Sequence, residues 1–203
     1  MTTEEWEGLL NNRIIAAYSS GLSVVEITRA LGKIRVDCVH SLLRETGHIP
    51  AMARSDYRRT YQIDGRLADA LRKMGYSFGR WCLGWQFGPE AAVANLGAVP
   101  DEGRPTAAHE AVRRDYPVVY FRMFGGRRPQ RIFRKAKTSS IHPALSIEWE
   151  DARRKYVARV PEHPEIEGIG IDWTEAVEEA KVAYRFHGYI SKLNRLIAEH
   201  AST

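Results

Sequence analysis

The stretch SVVEITRALGKIRVDCVHSLLRETG, residues 23–47, sets the architecture of the N-terminal part of the chain. Ser23 stands three residues before Glu26, which is the spacing of a capping box, so a short helix is predicted to begin after Ser23. Gly32 ends that helix, and a second one is predicted from about residue 35 to residue 45. Apolar residues recur at helical spacing in both segments, so each helix is expected to bury one face.

Another amphipathic helix is predicted upstream, over residues 4–18. Apolar residues recur at every fourth position from Trp6 to Tyr18, so they share one face of that helix. Three short helices with breaks between them are typical of a compact trihelical unit. We therefore assign residues 1–53 to a first domain.

Residues 23–47 resemble the helix-turn-helix of resolvases, transposases and many small transcription factors. The residues that carry the resemblance are Ile27, Leu31, Gly32, Cys38 and Leu42. It implies that the second helix of the motif faces the DNA major groove with Arg35, Val36, Val39 or His40, and Arg44 pointing outward. Arg35 can bond a guanine edge, Val36 can touch a thymine methyl group, and Lys33 and Arg44 can hold phosphates.

Positive charge is concentrated in the middle of the chain. The formal net charge is +5, and residues 104–137 contain ten basic and two acidic residues. The basic segment, defined as residues 122–137, contains Arg122, Arg127, Arg128, Arg131, Arg134, Lys135 and Lys137. Such a run can follow a phosphate backbone or enter a minor groove of double-stranded DNA. A solvated basic loop is the alternative interpretation.

The middle region, residues 54–137, is predicted to be mainly helical. A dense aromatic cluster from Phe78 to Phe87 is more typical of a core than of a ligand site. Thr106 is placed as the cap of a helix over residues 106–114. Residues 117–124 are compatible with a helix or a strand, and residues 105–126 loosely resemble a second helix-turn-helix.

From Leu145 onward the apolar period changes from that of a helix to that of a strand. Alternating apolar residues predict two strands, a further apolar set suggests a third, and Thr174 is placed as the cap of a last helix. The alternating sets are Leu145, Ile147 and Trp149, then Tyr156, Ala158 and Val160, and the set that suggests the third strand is Ile166, Ile169 and Ile171. We therefore expect an α+β chain whose helical N-terminal half precedes an antiparallel β-meander and a helix over residues 144–203.

This C-terminal part resembles the HicB antitoxin family. The matching residues are YVARVPE at 156–162, Pro164, Gly168, Gly170, and the helix start Thr174-Glu175-Ala176 followed by Glu178-Glu179-Ala180. The resemblance implies a partial ribonuclease-H-like β-β-β-α fold that the family uses for oligomerisation and toxin binding. A dimerisation domain, with a possible protein partner, is the expectation for this chain.

No pattern of catalysis or cofactor binding is present in the sequence. The seven histidines form no HExxH motif, and neither GxSxG nor GxxxxGK[ST] occurs, so we expect no enzyme, no metal and no cofactor. The acidic set Glu148, Glu150 and Asp151 is better explained as a solvated face. Cys38 and Cys82 are expected to be buried thiols. The N-terminus lacks a signal peptide and no membrane span is recognisable, which favours the cytoplasm.

Together these features predict a sequence-specific DNA-binding protein that acts as a homodimer. Transcriptional repression or regulation of a phage, a mobile element or a toxin–antitoxin type operon fits this prediction. A nucleoprotein assembly factor such as a phage small terminase subunit is an alternative, and a nuclease or recombinase is another. The assembly factor would form a ring rather than a dimer.

Overall fold

The structure is a computed structural model that describes residues 2–51, 59–100, 105–125 and 143–202. Within those ranges it contains nine helices and one three-stranded antiparallel sheet. The α+β class, with most helices ahead of the sheet, is therefore confirmed. The chain divides into two compact units: a helical unit, Gly21–Phe133, and a sheet unit, made of Met1–Ser20 and Arg134–Thr203.

The first helix, α1 at Thr3–Ser19, belongs to the sheet unit and not to a trihelical N-terminal domain. Its Trp6 is 4% exposed and packs in one cluster with Val160, Ile166 and Ala183. The periodicity located the apolar face of α1 correctly, but a repeat of four does not say which surface will cover that face. Here the strands and the last helix cover it.

The helical unit contains seven short helices in the part of the chain that is described. They are α2 at Val24–Leu31, α3 at Val36–Glu45, α4 at Gly65–Lys73, α5 at Phe78–Gly84, α6 at Pro89–Leu96, α7 at Ala107–Asp115 and α8 at Pro117–Phe124. The predicted capping box of α2 is confirmed. The Ser23 amide donates to Glu26 Oε2 at 2.8 Å, and the Glu26 amide donates to Ser23 Oγ at 3.1 Å.

Two predictions for the middle region have clear outcomes. Thr106 caps α7 as expected, and residues 117–124 form a helix, with Pro117 in its first turn. A single residue, Tyr116, separates α7 from α8, whereas a helix-turn-helix needs a turn of three or four residues. This pair of helices therefore lacks the connection that a second helix-turn-helix requires.

The sheet unit is a β-meander followed by one long helix. Its strands are β1 at Ser146–Glu150, β2 at Lys155–Val160 and β3 at His163–Gly170, in the order β1-β2-β3, and α9 runs from Trp173 to Ala201. The cap of α9 is Asp172 rather than Thr174, because the Asp172 carboxylate accepts from the amides of Thr174 and Glu175 at 2.8 and 2.9 Å. Among the described helices, none combines the length and the apolarity needed to cross a membrane.

Small residues let α9 lie directly on the sheet. Ala158 of β2 packs against Ala176 and Ala180 of α9, and all three are fully buried. A Cβ atom at Gly168 of β3 would lie 2.1 Å from the Ala176 carbonyl oxygen and 2.2 Å from the Ala180 amide nitrogen. Because both obstacles are backbone atoms, only glycine fits at this position.

Replacing Gly168 with alanine therefore tests this close approach. We expect Gly168→Ala to lower the free energy of unfolding by about 1–3 kcal/mol or more, because the extra methyl group forces the helix away from the sheet. The matched control is Gly188→Ala on α9, where a Cβ atom meets nothing within 4 Å. That change should stabilise the chain by about 0.5–1 kcal/mol through helix propensity. Equal urea midpoints for the two variants would contradict the packing described here.

Candidate nucleic-acid interface

Helices α2 and α3 form the candidate interface. Residues 32–35 connect them, which is the turn length of a helix-turn-helix. Gly32 adopts a φ of 73°, in the left-handed region that favours glycine, and its amide donates to the Thr28 carbonyl at 2.9 Å. Apolar residues of α2, including Ile27 and Leu31, are buried, so this helix braces α3 from behind.

The turn and the first residue before α3 present the exposed cations. Lys33 is exposed, and the Arg35 side chain is 80% exposed. Arg35 Nη2 donates to Asp37 Oδ2 at 2.9 Å, and Asp37 also accepts from Arg80 Nη1 at 2.6 Å. An exposed ion pair contributes only about 0–1 kcal/mol, so a phosphate or a guanine can displace Asp37 from Arg35. Arg44 is half-buried beside Glu45 at the other end of α3.

Val36 and His40 do not point outward as predicted. They are 2% and 1% exposed, and they lie on the inner face of α3 with Val39. The His40 ring meets Tyr76 edge-on at 5.8 Å. Burial, followed by the nearby Arg80 guanidinium, lowers the pKa of His40 to about 4. His40 is therefore neutral at pH 7 and supports α3 from within, and it does not contact a phosphate.

The difference between the predicted and the observed inner face of α3 also explains the exposure of its cysteine. Cys38 is exposed, although the sequence predicted a buried thiol, and Leu42 is only half-buried. The inner face follows Val36, Val39, His40 and Leu43, so the true phase of the helix differs from the predicted one. Cys82 of α5 is buried as predicted, and burial raises the pKa of its thiol.

Of the cations in the basic segment, the structure describes only Arg122. Arg122 is exposed in the last turn of α8, and its carbonyl accepts a hydrogen bond from Arg66. The predicted DNA contacts Arg127, Arg128, Arg131, Arg134 and Lys135 lie outside the described residues.

A buried carboxylate fixes the N-terminus of α2 to the rest of the helical unit. Asp115, the last residue of α7, is 0% exposed. Its Oδ1 accepts from Ser23 Oγ at 2.5 Å, and its Oδ2 accepts from the indole nitrogens of Trp81 and Trp85 at 2.8 Å each. Burial raises the pKa of Asp115 against the effect of these three donors. Beside it, Arg114 Nε donates to Glu26 Oε1 at 2.7 Å, which adds a second link to α2.

The acidic set of the sheet unit is engaged in ion pairs and a hydrogen bond. Arg159 lies 3.6 Å from Glu148 and 3.7 Å from Glu150, and Asp151 accepts from Trp149 Nε1 at 2.8 Å. Glu148 and Asp151 are exposed, as a solvated face requires, whereas Glu150 is half-buried.

A different group of ligand-type side chains converges in the sheet unit, and the motif search missed it. His163 and Glu165 at the start of β3 lie beside His187 of α9. The two β3 residues are separated by one position, which places both on the same side of a strand. That HxE spacing was the available signal, but the third member comes from another element and no local pattern indicates it.

No family model, no curated protein and no solved structure matches this chain. The likeness to a helix-turn-helix and to HicB therefore depends on the residues quoted for each.

Replacing Asp115 with asparagine tests its role as the tie between α2, α5 and α7. An amide cannot accept from all three donors, and each donor left without an acceptor costs about 1–3 kcal/mol of unfolding free energy. We expect a clear loss in urea denaturation, with altered emission from Trp81 and Trp85. Asp69→Asn on α4 is the control, because its exposed ion pair with Arg72 should contribute less than about 0.5 kcal/mol. A loss no larger than that of the control would refute the role of Asp115.

Proposed function

We propose that this chain is a sequence-specific DNA-binding protein, a transcriptional regulator rather than an enzyme, that uses α2 and α3 as a helix-turn-helix. The observation that carries the proposal is the placement of Lys33 and Arg35. Both are exposed at the N-terminal end of α3, which is the end that a recognition helix presents to base edges. The ties from Asp115 and Arg114 to α2 hold the motif on a packed support.

Different residues have different tasks in this proposal. Arg35 is the candidate for reading a base, because its guanidinium can donate two parallel hydrogen bonds to a guanine. Lys33 and Arg44 are the candidates for holding phosphates, and Val36 and His40 support the helix from its inner side. The basic segment, Arg122 together with the arginines and lysines that follow it, adds affinity without sequence preference through release of counterions.

The sheet unit is the proposed dimerisation domain, with a HicB-like fold. Its element order, β1-β2-β3 followed by α9, is the β-β-β-α order that the HicB resemblance implies. Ile147 and Trp149 pair with Ala158 and Tyr156 in register, so they lie on the face of the sheet that carries α9. Their side chains are nevertheless 42% and 49% exposed. In the described part of the chain, β1 also has a neighbouring strand on one side only. An uncovered apolar edge of this kind is suited to a second copy.

The register of such a dimer follows from the side chains of β1. Antiparallel pairing centred on Ile147 would place this residue opposite its own copy, and Leu145 opposite Trp149 of the second copy. On the other face, Ser146 would then lie opposite Glu148, so no like charges meet directly. A two-fold dimer also supplies two reading helices for two half-sites.

The proposal is tested by removing the reading side chain. Arg35→Ala should weaken binding to a selected specific duplex by about 1–3 kcal/mol and hardly change binding to a scrambled duplex, because a base contact discriminates and a phosphate contact does not. The measurement is fluorescence anisotropy with both duplexes at several salt concentrations.

The matched control for that experiment is Arg72→Ala. Arg72 of α4 is also exposed and also paired with a nearby aspartate, but it lies outside the helix-turn-helix. Its removal should leave both affinities within about 0.5 kcal/mol of the original chain. Equal losses on the two duplexes for Arg35→Ala would exclude it from base reading.

A further inference from the structure

Three side chains of metal-ligating type meet where β3 begins. His163 and Glu165 come from the strand, and His187 comes from the facing side of α9. One ligand atom from each lies within 4.8 Å of the others. The rings of His163 and His187 are 4.7 Å apart, with Glu165 next to both.

Two of the three ligand-atom separations agree with the dimensions of a tetrahedral zinc site, and the third, between the histidine nitrogens, is at most 4.8 Å. His163 Nδ1 is 3.3 Å from Glu165 Oε1, and His187 Nε2 is 3.4 Å from the same oxygen. Zinc–nitrogen and zinc–oxygen bonds of about 2.0–2.1 Å in a tetrahedron place neighbouring ligand atoms about 3.3–3.4 Å apart. A direct charge-assisted hydrogen bond would bring nitrogen and oxygen closer, to about 2.7–2.9 Å.

The chemistry of the donors and their exposure also suit a bound cation. Two imidazoles and one carboxylate form a set that zinc uses with a water molecule as the fourth ligand. The three side chains are 35%, 48% and 26% exposed, so an ion can enter from solvent and one position stays open to water. Trp6 of α1 meets His187 edge-on at 6.0 Å and provides an apolar wall on that side.

We propose that His163, Glu165 and His187 bind one divalent transition-metal ion of the zinc class. The ion links the first residues of β3 to the middle of α9 and thereby stabilises the packing of this helix on the sheet. This role is separate from the proposed DNA reading and does not depend on it. Its consequence is a sheet unit whose stability depends on metal.

The test is titration of the full chain with zinc chloride by isothermal calorimetry. The parent chain and all variants carry Cys38→Ser, because an exposed thiol such as that of Cys38 can also bind zinc. We expect one ion per chain, and a melting temperature that rises by about 5 °C or more at one hundred times Kd. Cobalt(II) bound in place of zinc should show the intense visible absorption of a four-coordinate site.

Three variants and one control decide the result. Glu165→Gln, His163→Gln and His187→Gln should each weaken zinc binding at least about 10-fold, while circular dichroism stays unchanged. His200→Gln, on the same helix but outside the cluster, should bind like the parent chain. Glu165 is well exposed, so zinc binding to Glu165→Gln can be measured even where a histidine variant unfolds. Absence of saturable binding to the parent, or undiminished binding to Glu165→Gln, would overturn the proposal.

Discussion

The buried carboxylate of Asp115 is the interaction on which the helical unit depends. A carboxylate removed from water is unfavourable unless donors replace its hydration. Three such donors come from Ser23, the N-cap of α2, from Trp81 of α5 and from Trp85, the C-cap of α5. Since Ser23 also caps α2, the hydroxyl that begins the candidate DNA-binding motif is the one that joins it to α7. The orientation of α3 follows, because α2 braces it.

This arrangement explains why a motif of only two short helices can hold its place. Isolated helices of 8 and 10 residues are marginal in water, so α2 and α3 need tertiary contacts to persist. The buried apolar face of α2 gives most of that stability, but apolar contacts do not fix the orientation of the helix. The three hydrogen bonds to Asp115 fix this orientation, because all three are satisfied in one geometry only.

Local features were predictable from the sequence, and features that depend on distant contacts were not. The capping box at Ser23 was found because Glu26 lies three residues after it, and Thr106 was found as a cap, but its partner His109 was not predicted. Strands β1 and β2 were found because a period of two is distinctive, whereas the apolar spacing in β3 is irregular and its marker Ile171 lies beyond the strand, 78% exposed. The partner of α1, by contrast, is chosen by packing against elements more than a hundred residues away.

The candidate sites show the same division. Lys33 and Arg35 were placed correctly at the surface because they lie in the turn between α2 and α3. Val36 and His40 were misplaced because the phase of a ten-residue helix depends on which face the core selects. The group of His163, Glu165 and His187 escaped notice because β3 and α9 bring it together only in three dimensions.

Selection from a library of random duplexes tests the proposal that this chain reads DNA sequence as a two-fold dimer. The full chain is immobilised, bound duplexes are amplified over several rounds, and the recovered sequences are compared with the starting pool. We expect an inverted repeat whose half-site centres lie about one helical turn, roughly 10 bp, or a multiple of it apart. Recovery of duplexes with no common sequence would contradict it.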